Sequence, residues 1–383
     1  MTEMMRAVGY RTSLPISDPS SLLDLELPVP TPGEHDLQVR VRAVSVNPVD
    51  VKVRAGGDPD PAPRILGFDA AGVVERVGSA VTLFRPGAEV WYAGSIARPG
   101  TNSELHLVDE RIVGRKPRSL DFAAAAALPL TALTAWESLF DRLQVEPSSP
   151  IRVNTPEWST APGESSPMPG ESSRVPGESS PAPGASASGR GHDSAAAGGA
   201  GSKRLLVLGA AGGVGAVLVQ LARQLTDLEV IGTASRPKSR DYVLARGAHS
   251  VVDHHGDLDA QLPGGVDYVF SPHSAGMIDT FAQIIRPYGS VVAIDEPPNL
   301  DLRALKSKSI TWHWELMFTR PLFDPTSVAQ HEILNQVADL VDKGIVQSTL
   351  TTRIDGINAV NMRKAHKAQE SGSAIGKTVL AGF

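Results

Sequence analysis

The stretch LLVLGAAGGVGAVLVQLARQL, residues 205–225, decides the fold of this chain. An apolar run that ends at Leu208 is typical of a buried β-strand, and the apolar residues Val217, Leu221 and Leu225 recur at helical spacing. The glycines between them allow a tight turn in which the backbone itself can approach a ligand closely. A second apolar run, EVIGTA at 229–234, follows after a single helix, so the pattern predicts a βαβ unit that binds the pyrophosphate of a dinucleotide.

The predicted helix begins directly after the glycine turn. Its N-terminus would present unpaired amide hydrogens and a partial positive charge to a phosphate. We therefore expect the following residues to contact the cofactor: Gly209, Ala210, Gly212, Gly213, Val214 and Gly215. A purely structural turn is the alternative, but the strand before the glycines and the helix after them favour a binding site.

The end of the second strand indicates which dinucleotide is bound. Enzymes that use NAD usually place an acidic residue there to accept from the ribose 2′-hydroxyl, whereas this chain reads TASRPKSR at 233–240. Ser235, Arg236 and Lys238 would instead hold a 2′-phosphate through charge-assisted hydrogen bonds. We expect NADPH to be preferred over NADH, and the alternative interpretation is a solvated basic turn at the start of a helix.

Further apolar runs continue the alternation of strands and helices and lie at 250–252, 266–270, 290–294 and 310–314. Together they predict an α/β fold with a doubly wound parallel sheet of about six strands. The N-terminal part differs, because short alternating strands such as DLQVRVRAVSV at 36–46 predict an antiparallel, partly barrel-like domain.

Composition excludes several classes of function. The 383 residues include no cysteine, which rules out disulfides, thiolate metal sites and cysteine nucleophiles. The net charge of −6, without a Lys/Arg-rich tract, gives no basic surface for nucleic acid or an anionic membrane. No apolar run approaches the length of a membrane span, and the first residues lack the apolar core of a signal peptide. We therefore expect a cytoplasmic protein whose partner is a small molecule.

A repetitive stretch interrupts the chain near its middle. Pro-Gly recurs every seven residues within PGESSPMPGESSRVPGESSPAPG at 162–184. Proline, glycine and serine at these positions exclude a coiled coil. The segment from about 147 to 202 has too few large apolar residues to offset its ordering entropy. We expect a disordered surface insertion, and a phosphorylated or partner-binding segment is the alternative.

Several motifs, in chain order, resemble the medium-chain dehydrogenase/reductase superfamily. They are VSVNPVDVKVR at 44–54, LGFDAAGVVERVGSAVTLFRPGAEVWYAG at 66–94, LPLTALTAWESLF at 128–140, the glycine turn, and ESGSAIGKTVLAGF at 370–383. Within the superfamily the chain most resembles the quinone oxidoreductase branch, in particular the zinc-type alcohol dehydrogenase-like proteins. The resemblance implies a GroES-like catalytic domain that is split around a Rossmann cofactor domain, so the repetitive segment interrupts one enzyme. The expected boundaries are 1–136 for the first part of the catalytic domain, 137–324 for the Rossmann domain and 325–383 for the second part of the catalytic domain.

The zinc ligands of related enzymes are missing from this sequence. Zinc-dependent relatives bind the metal with a Cys, a His in a Gly-His-Glu turn and a second Cys, whereas Asn47, Phe68 and, approximately, Leu130 occupy these positions. The segment 92–108 also lacks the four cysteines of a structural zinc lobe. The adjacent His254 and His255 are expected to lie in a solvated loop. We therefore expect no metal.

The resemblance also supplies candidate site residues in the first domain: Asn47, Asp50, Tyr92, Thr131, Thr134 and Lys377. It places Asn47 and its neighbours beside the nicotinamide, and the threonines and Lys377 against the cofactor. Each has a structural alternative. Asn47-Pro48-Val49-Asp50 is also the sequence of a helix start, which is compatible with a site role. Tyr92, a candidate donor to the substrate oxygen, is equally well interpreted as a half-buried barrel tyrosine; the threonines would line a helix, and Lys377 would lie in a surface turn.

The lack of zinc limits the chemistry. Hydride transfer to an ordinary ketone builds charge on an alkoxide, which needs a Lewis acid or a strong proton donor. A quinone or an α,β-unsaturated carbonyl spreads that charge over a conjugated phenolate or enolate, for which hydrogen bonds suffice. We predict NADPH-dependent hydride transfer to a quinone or related conjugated carbonyl. The alternatives are an alkenal or enone double-bond reductase and a non-catalytic NADPH-binding redox sensor or structural protein.

The aromatic run WHWELMFTRPLF at 312–323 begins with the predicted last strand of the parallel sheet. A strand at the edge of a sheet offers unpaired backbone groups to a second subunit. We therefore expect a homodimer. Phe318 is a candidate for the roof of the substrate pocket, whereas Trp312 and Trp314 are expected in the core.

Overall fold

The computed structural model describes residues 3–148 and 202–383. The segment expected to be disordered, about 147–202, lies almost wholly outside the described residues, so that expectation stays a prediction.

Two sheets built mainly from antiparallel strands form the N-terminal domain, as predicted. Their strands in this part of the chain are β1 (Met4–Tyr10), β2 (Leu23–Pro28), β3 (Asp36–Ser45), β4 (Arg64–Ile65), β5 (Ala70–Val77), β6 (Glu89–Tyr92), β7 (Leu105–Asp109) and β8 (Val113–Arg115). The smaller sheet has the order β2-β1-β4, and in the larger sheet β3 pairs with both β5 and β7. Neighbouring side chains of one strand enter different apolar clusters: Trp91 lies in the cluster that contains Phe68, whereas Tyr92 lies in the cluster that contains Val39 and Val41. This alternation is the period of two that a β-strand imposes.

The α-helices of the described residues are α1 (Pro48–Ala55), α2 (Phe122–Ala126), α3 (Pro129–Trp136), α4 (Gly213–Leu225), α5 (Pro237–Ala245), α6 (Leu258–Gln261), α7 (Ile278–Ile284), α8 (Thr319–Phe323), α9 (Ala329–Asp342) and α10 (Ala359–Glu370). Other helical segments are a π-helical turn at Glu137–Arg142 and 3-10 helices at Glu110–Ile112 and Arg303–Lys308. In the described part of the chain, none of these helices combines the length and the apolar character that crossing a membrane requires.

Six parallel strands form the sheet of the second domain and confirm the predicted doubly wound architecture. They are β9 (Arg204–Val207), β10 (Glu229–Thr233), β11 (Ser250–Val252), β12 (Val266–Ser271), β13 (Ile285–Ala293) and β14 (Thr311–Trp314), in the order β11-β10-β9-β12-β13-β14. Apolar clusters cover both faces, since Leu205 lies in the same cluster as Val217 of α4, whereas Leu206 lies in a different cluster with Phe281 of α7. The order of the strands reverses between β9 and β12, which is where ligands bind in such sheets.

The C-terminal part of the chain returns to the first domain through β15 (Leu350–Asp355) and β16 (Lys377–Ala381). β16 lies between β15 and β3, parallel to the former and antiparallel to the latter. Its register aligns Val379 with Ser45 and therefore brings Lys377, at the start of β16, to the level of Asn47. The helix α9 packs against β8 and α3, and α10 packs against α1.

The residues on either side of segment 149–201 are hydrogen-bonded to one turn, between α4 and β10. The backbone N–H of Ser148 donates to the Leu225 carbonyl at 2.8 Å, and the Ser148 hydroxyl donates to Asp227 at 2.9 Å. On the other side, the N–H of Glu229 donates to the Lys203 carbonyl at 2.9 Å. The residues that anchor the two flanks all lie between Leu225 and Glu229.

Candidate active site

The glycine turn lies at the carboxyl end of β9, beside the switch point of the parallel sheet. Gly209 has a φ of +61°, and its N–H donates to Thr233 Oγ1 at 3.1 Å, which joins the turn to the end of β10. A Cβ atom on Gly215 would lie 2.4 Å from the Gly209 carbonyl oxygen. The start of α4 therefore packs on the turn at a distance that only glycine allows.

The first turn of α4 can bind an anion. Gly212 caps the helix in an extended conformation, Ala210 is buried beneath the turn and Val214 is half-buried. The first amide groups of an α-helix have no partner inside the helix, so those of Gly213, Val214 and Gly215 remain for a ligand. Because α4 is 13 residues long, its dipole adds a partial positive charge at this end.

Basic side chains collect at the carboxyl end of β10, where the sequence predicts the ribose contact. Ser235 is half-buried, and Arg236 and Lys238 are exposed at the start of α5. The guanidinium of Arg236 donates to the Ser373 carbonyl at 2.8 Å. Arg240 donates to the Val251 carbonyl at 3.0 Å and so fixes the neighbouring strand ends rather than facing solvent freely. The first acidic residue beyond the strand is Asp241, on α5.

A buried carboxylate, Asp69, lies at the centre of the first domain's contribution to the site. Its side chain is 0% exposed and accepts four hydrogen bonds. The donors are Ser45 Oγ at 2.8 Å, Asn47 Nδ2 at 2.8 Å, the Leu130 backbone N–H at 2.8 Å and Lys377 Nζ at 3.2 Å. One side chain thereby joins β3, the start of α3 and β16.

Lys377 is buried, and its ammonium group donates hydrogen bonds to three acceptors of the protein. Nζ donates to the Val46 carbonyl at 2.9 Å, to Asn47 Oδ1, and to Asp69. Burial lowers the pKa of Lys377, and the Asp69 carboxylate opposes that change. The stem of the side chain lies against the glycine turn, since a Cβ on Gly213 would be 2.8 Å from Lys377 Cδ. The predicted surface-turn alternative therefore does not describe this lysine.

Asn47 and Asp50 occupy the helix start that the sequence predicts. Asp50 has a structural role there, whereas the Asn47 side chain belongs to the polar network around Asp69. Asp50 accepts from the Asn47 N–H at 2.8 Å and from the Gly67 N–H at 2.9 Å, so it holds the start of α1 against the turn before Phe68. Burial raises the pKa of Asp50 to about 7. The Asn47 side chain bonds to Asp69 and Lys377 and joins the polar network.

Thr131 and Thr134 lie on α3, and both hydroxyls donate to carbonyl groups of the same segment, those of Leu128 at 2.9 Å and Leu130 at 3.0 Å. The methyl group of Thr131 faces the glycine turn, 3.1 Å from where a Cβ on Gly213 would lie. The structure thus brings Thr131, Gly213 and Lys377 together. Thr134 is buried one turn further along α3.

The structure does not bring Tyr92 to this network. Its side chain is fully buried among the apolar residues of the first domain, and its hydroxyl pairs with His106 Nδ1 at 3.1 Å. The two rings stack with centroids 5.4 Å apart. Burial raises the pKa of Tyr92 and lowers that of His106 to about 4. Tyr92 therefore has the structural role of a tyrosine packed inside the barrel, and it is not part of the proposed site.

The residues at the zinc-ligand positions do not fit a metal. Phe68 packs edge-on against Phe318, with ring centroids 5.4 Å apart, and Leu130 contributes only its backbone N–H, to Asp69. Both polar atoms of the Asn47 amide are engaged within the network. Elsewhere in residues 3–148 and 202–383, potential metal-binding side chains converge in one group, Asp253, His254 and His255, and both histidines are exposed.

Sequence reasoning assigned no role to Asp69, although the residue was visible in the Gly-Phe-Asp turn. The available signal was an acidic residue directly followed by the apolar strand β5, a position that is buried. A second contact that the sequence did not reveal joins the two domains: Lys52 of α1 pairs with Glu296, after β13, at 2.9 Å. Both side chains are exposed, so this pair contributes little to stability.

Comparison with known proteins agrees with this architecture. The family model for the alcohol dehydrogenase GroES-like domain matches residues 33–118, and the model for zinc-binding dehydrogenases matches residues 246–380. A zinc-type alcohol dehydrogenase-like protein of Staphylococcus aureus is 34% identical over 326 residues, which cover 83% of each chain. The chain belongs to the medium-chain dehydrogenase/reductase superfamily. It is therefore an oxidoreductase by family.

Solved structures show the same two-domain fold. A Rhizobium etli protein, provisionally described as a zinc-dependent alcohol dehydrogenase, is 45% identical and has a TM-score of 0.84, covering 100% of this chain and 99% of its own. The quinone oxidoreductase of Escherichia coli, solved with NADPH, is 20% identical with a TM-score of 0.73 and covers 98% of this chain and 100% of its own. At that identity the second likeness shows the fold alone. Both agree with a medium-chain dehydrogenase/reductase architecture.

Proposed function

We propose that this medium-chain dehydrogenase/reductase is a zinc-independent, NADPH-dependent enzyme that transfers a hydride to a quinone or a similar conjugated carbonyl. The observation that carries the proposal is the set of side chains at the zinc positions. Phe68 and Leu130 offer no ligand atom, and the Asn47 amide is engaged with Asp69 and Lys377. Several relatives have zinc in their names, but these side chains do not provide a metal centre.

The cofactor assignment rests on the two phosphate-binding features of the second domain. The amide groups at the start of α4 would hold the pyrophosphate of NADPH, and Ser235, Arg236 and Lys238 would hold its 2′-phosphate. When bound, NADPH supplies the hydride. Thr131 and the stem of Lys377 face the glycine turn and would border the cofactor where it passes from the second domain to the first.

The side chains of the site would then stabilise the negative charge that develops on the carbonyl oxygen of the substrate. Asn47 Nδ2 has two hydrogens, and Asp69 takes one of them. The other would donate to the carbonyl oxygen of the substrate. A single neutral donor is too weak for a localised alkoxide, but it suits the delocalised charge of a phenolate or enolate.

Steady-state oxidation of NADPH against quinones, enones, simple ketones and aldehydes tests the proposal, with zinc content measured on the same preparation. We expect turnover with quinones, little with simple ketones, substoichiometric zinc and no effect of chelators. Faster reduction of enones than of quinones would instead make the protein a double-bond reductase. Tight NADPH binding without turnover on any acceptor would make it a non-catalytic nucleotide-binding protein, and stoichiometric zinc whose removal stops turnover would refute the zinc-free site.

A further inference from the structure

The Asn47 amide is held in one orientation by two opposite charges. Its Oδ1 accepts from the Lys377 ammonium, and its Nδ2 donates to the Asp69 carboxylate at 2.8 Å. A rotated amide would place its NH2 group against the ammonium and its oxygen against the carboxylate. Both contacts would then be repulsive, in a site where the side chains of all three residues are at most 4% exposed.

We propose that Asp69 is the positioning residue of this site: with Lys377 it fixes the Asn47 amide, which the ammonium polarises, so that the second Nδ2 hydrogen becomes the donor to the substrate oxygen. The inference rests on the proposed function for the identity of that oxygen. It adds a residue and a mode of action, because the charge of Lys377 reaches the substrate through Asn47 rather than directly.

The hydrogen count of the cluster supports this indirect route. An ammonium group has three hydrogens, and those of Lys377 go to the Val46 carbonyl, Asn47 Oδ1 and Asp69. None remains for a ligand in this arrangement. By contrast, among the described residues only Asp69 accepts from Asn47 Nδ2, which leaves one amide hydrogen for the substrate.

Polarisation follows from the same geometry. An ammonium on the amide oxygen draws electron density from the amide nitrogen, which polarises both of its N–H bonds. The remaining N–H is therefore a better donor than that of a solvated asparagine. A preorganised donor of this kind lowers the energy of charge that develops in the transition state.

Asp69 also keeps the ammonium charged. Burial favours the neutral amine, and the pKa of Lys377 is lowered accordingly. Two carboxylates oppose this effect, those of Asp69 at 3.2 Å and of Asp50. The two carboxylate oxygens of Asp50 accept from the backbone N–H groups of Asn47 and Gly67. Asp69 is therefore the carboxylate in direct contact with the ammonium.

The first test compares Asp69→Asn with Asp69→Glu, which retains the charge. We expect Asp69→Asn to lower kcat for a quinone by about 100-fold, the usual effect of losing one oxyanion donor, while the Kd for NADPH changes much less. The alkaline limb of its kcat profile should move to lower pH, because Lys377 loses its counter-charge. Asp69→Glu should restore part of kcat and return the alkaline limb toward the wild-type pH.

A double variant separates positioning from a structural role. Asp69→Asn combined with Lys377→Met removes both charges, and neutral replacement of a whole buried pair is generally tolerated by a fold. If Asp69 only stabilises the fold, the double variant regains stability and kcat together. If Asp69 positions Asn47, the double variant is stable and binds NADPH but remains as slow as Asp69→Asn. Recovery of kcat in the double variant would overturn the proposal.

A readout that needs no turnover distinguishes this inference from the proposed function. In protein labelled with ¹³C-lysine, the Cε resonance of Lys377, assigned by its absence in Lys377→Met, reports the charge of the ammonium. We expect Lys377 to titrate about one to three pH units lower in Asp69→Asn than in the wild type, the range expected for an adjacent opposite charge. Equal titration would refute the role of Asp69 whatever the substrate, whereas inactivity of the wild type alone would refute only the proposed function.

Discussion

At the scale of single residues, the proposed preference for NADPH rests on the exposed side chains at the end of β10. Arg236 and Lys238 lie where an NAD-dependent enzyme has an acid, and Arg236 is tied by a hydrogen bond to the carbonyl of Ser373. That contact orients the guanidinium while leaving it exposed. The residue therefore combines a fixed position with an exposed positive charge.

We predict that Arg236→Ala reduces the preference for NADPH over NADH. An exposed charge-assisted hydrogen bond is at the lower end of its usual range, so the ratio of the two affinities should fall by about tenfold. Calorimetric titration of both nucleotides measures this ratio. Arg85→Ala, at an exposed arginine between β5 and β6, is the matched control and should leave it unchanged. An unaltered ratio in Arg236→Ala, or equal wild-type affinity for both nucleotides, would count against a 2′-phosphate site here.

At the scale of secondary-structure elements, a buried charge cluster joins the end of α3 to the end of β14. Glu137, in the π-helical turn, and Glu315, after β14, lie against each other, at most 4% exposed. Arg320 of α8 donates to Glu137 at 3.1 Å, and Arg142 donates to Glu315 at 2.9 Å. With Asp141, three carboxylates face two guanidinium groups, so the cluster is neutral when it keeps one proton. Burial and the adjacent Glu315 raise the pKa of Glu137 well above its usual range.

The cluster predicts a stability that declines with pH. Because the folded pKa of Glu137 is raised, the stabilisation is complete below the usual glutamate pKa of about 4.3 and is lost as pH rises through the folded value. Each 1 kcal/mol of this stabilisation moves Tm by roughly 2–4 °C in a domain of 150–250 residues. Glu137→Gln mimics the protonated form, so between pH 5 and pH 9 its Tm should fall less than that of the wild type by at least this amount. Parallel Tm profiles would contradict the shared proton, and the exposed Glu146→Gln serves as the control.

Elements and their order were predictable from the sequence because their signals are local. The glycine turn, the strands of the parallel sheet and the helix start at Asn47 each depend on neighbouring residues. The polar network was not predictable, since Ser45, Asp69 and Lys377 lie far apart in the chain and meet only through the register of β16 on β3. The alternation along β6 indicates that Tyr92 and Trp91 point to opposite sides of the sheet. It does not indicate which of these two side chains points toward the site.

At the scale of the whole molecule, β14 is an edge strand that pairs only with β13 among the described strands. Exposed apolar side chains occur in β14 and in the segment after it: Trp314 is 51% exposed, Leu316 54% and Phe323 81%. The sequence predicted Trp314 in the core, and this expectation was wrong, because an edge strand leaves one side of its residues uncovered. A second copy pairing along β14 would cover both the free backbone groups and these side chains.

We therefore predict a homodimer that assembles through β14. Light scattering coupled to gel filtration should give twice the mass of the chain, and Trp314→Glu with Leu316→Glu should give the mass of one chain. Leu83→Glu, at an apolar residue 42% exposed on the first domain, is the control and should stay dimeric. A monomeric wild type at micromolar concentration, or a dimer that survives both substitutions, would contradict assembly through this edge.

The shared anchoring of Ser148 and Lys203 at the turn between α4 and β10 has a consequence for how this enzyme can change over evolutionary time. Chain added between two points fixed at one place alters no distance inside the sheets, and closing a longer loop costs free energy only as the logarithm of its length. We therefore expect an insertion at this point to disturb the site little. A longer or shorter Pro-Gly repeat is compatible with the same two sheets, whereas the glycine turn tolerates no added Cβ at Gly215.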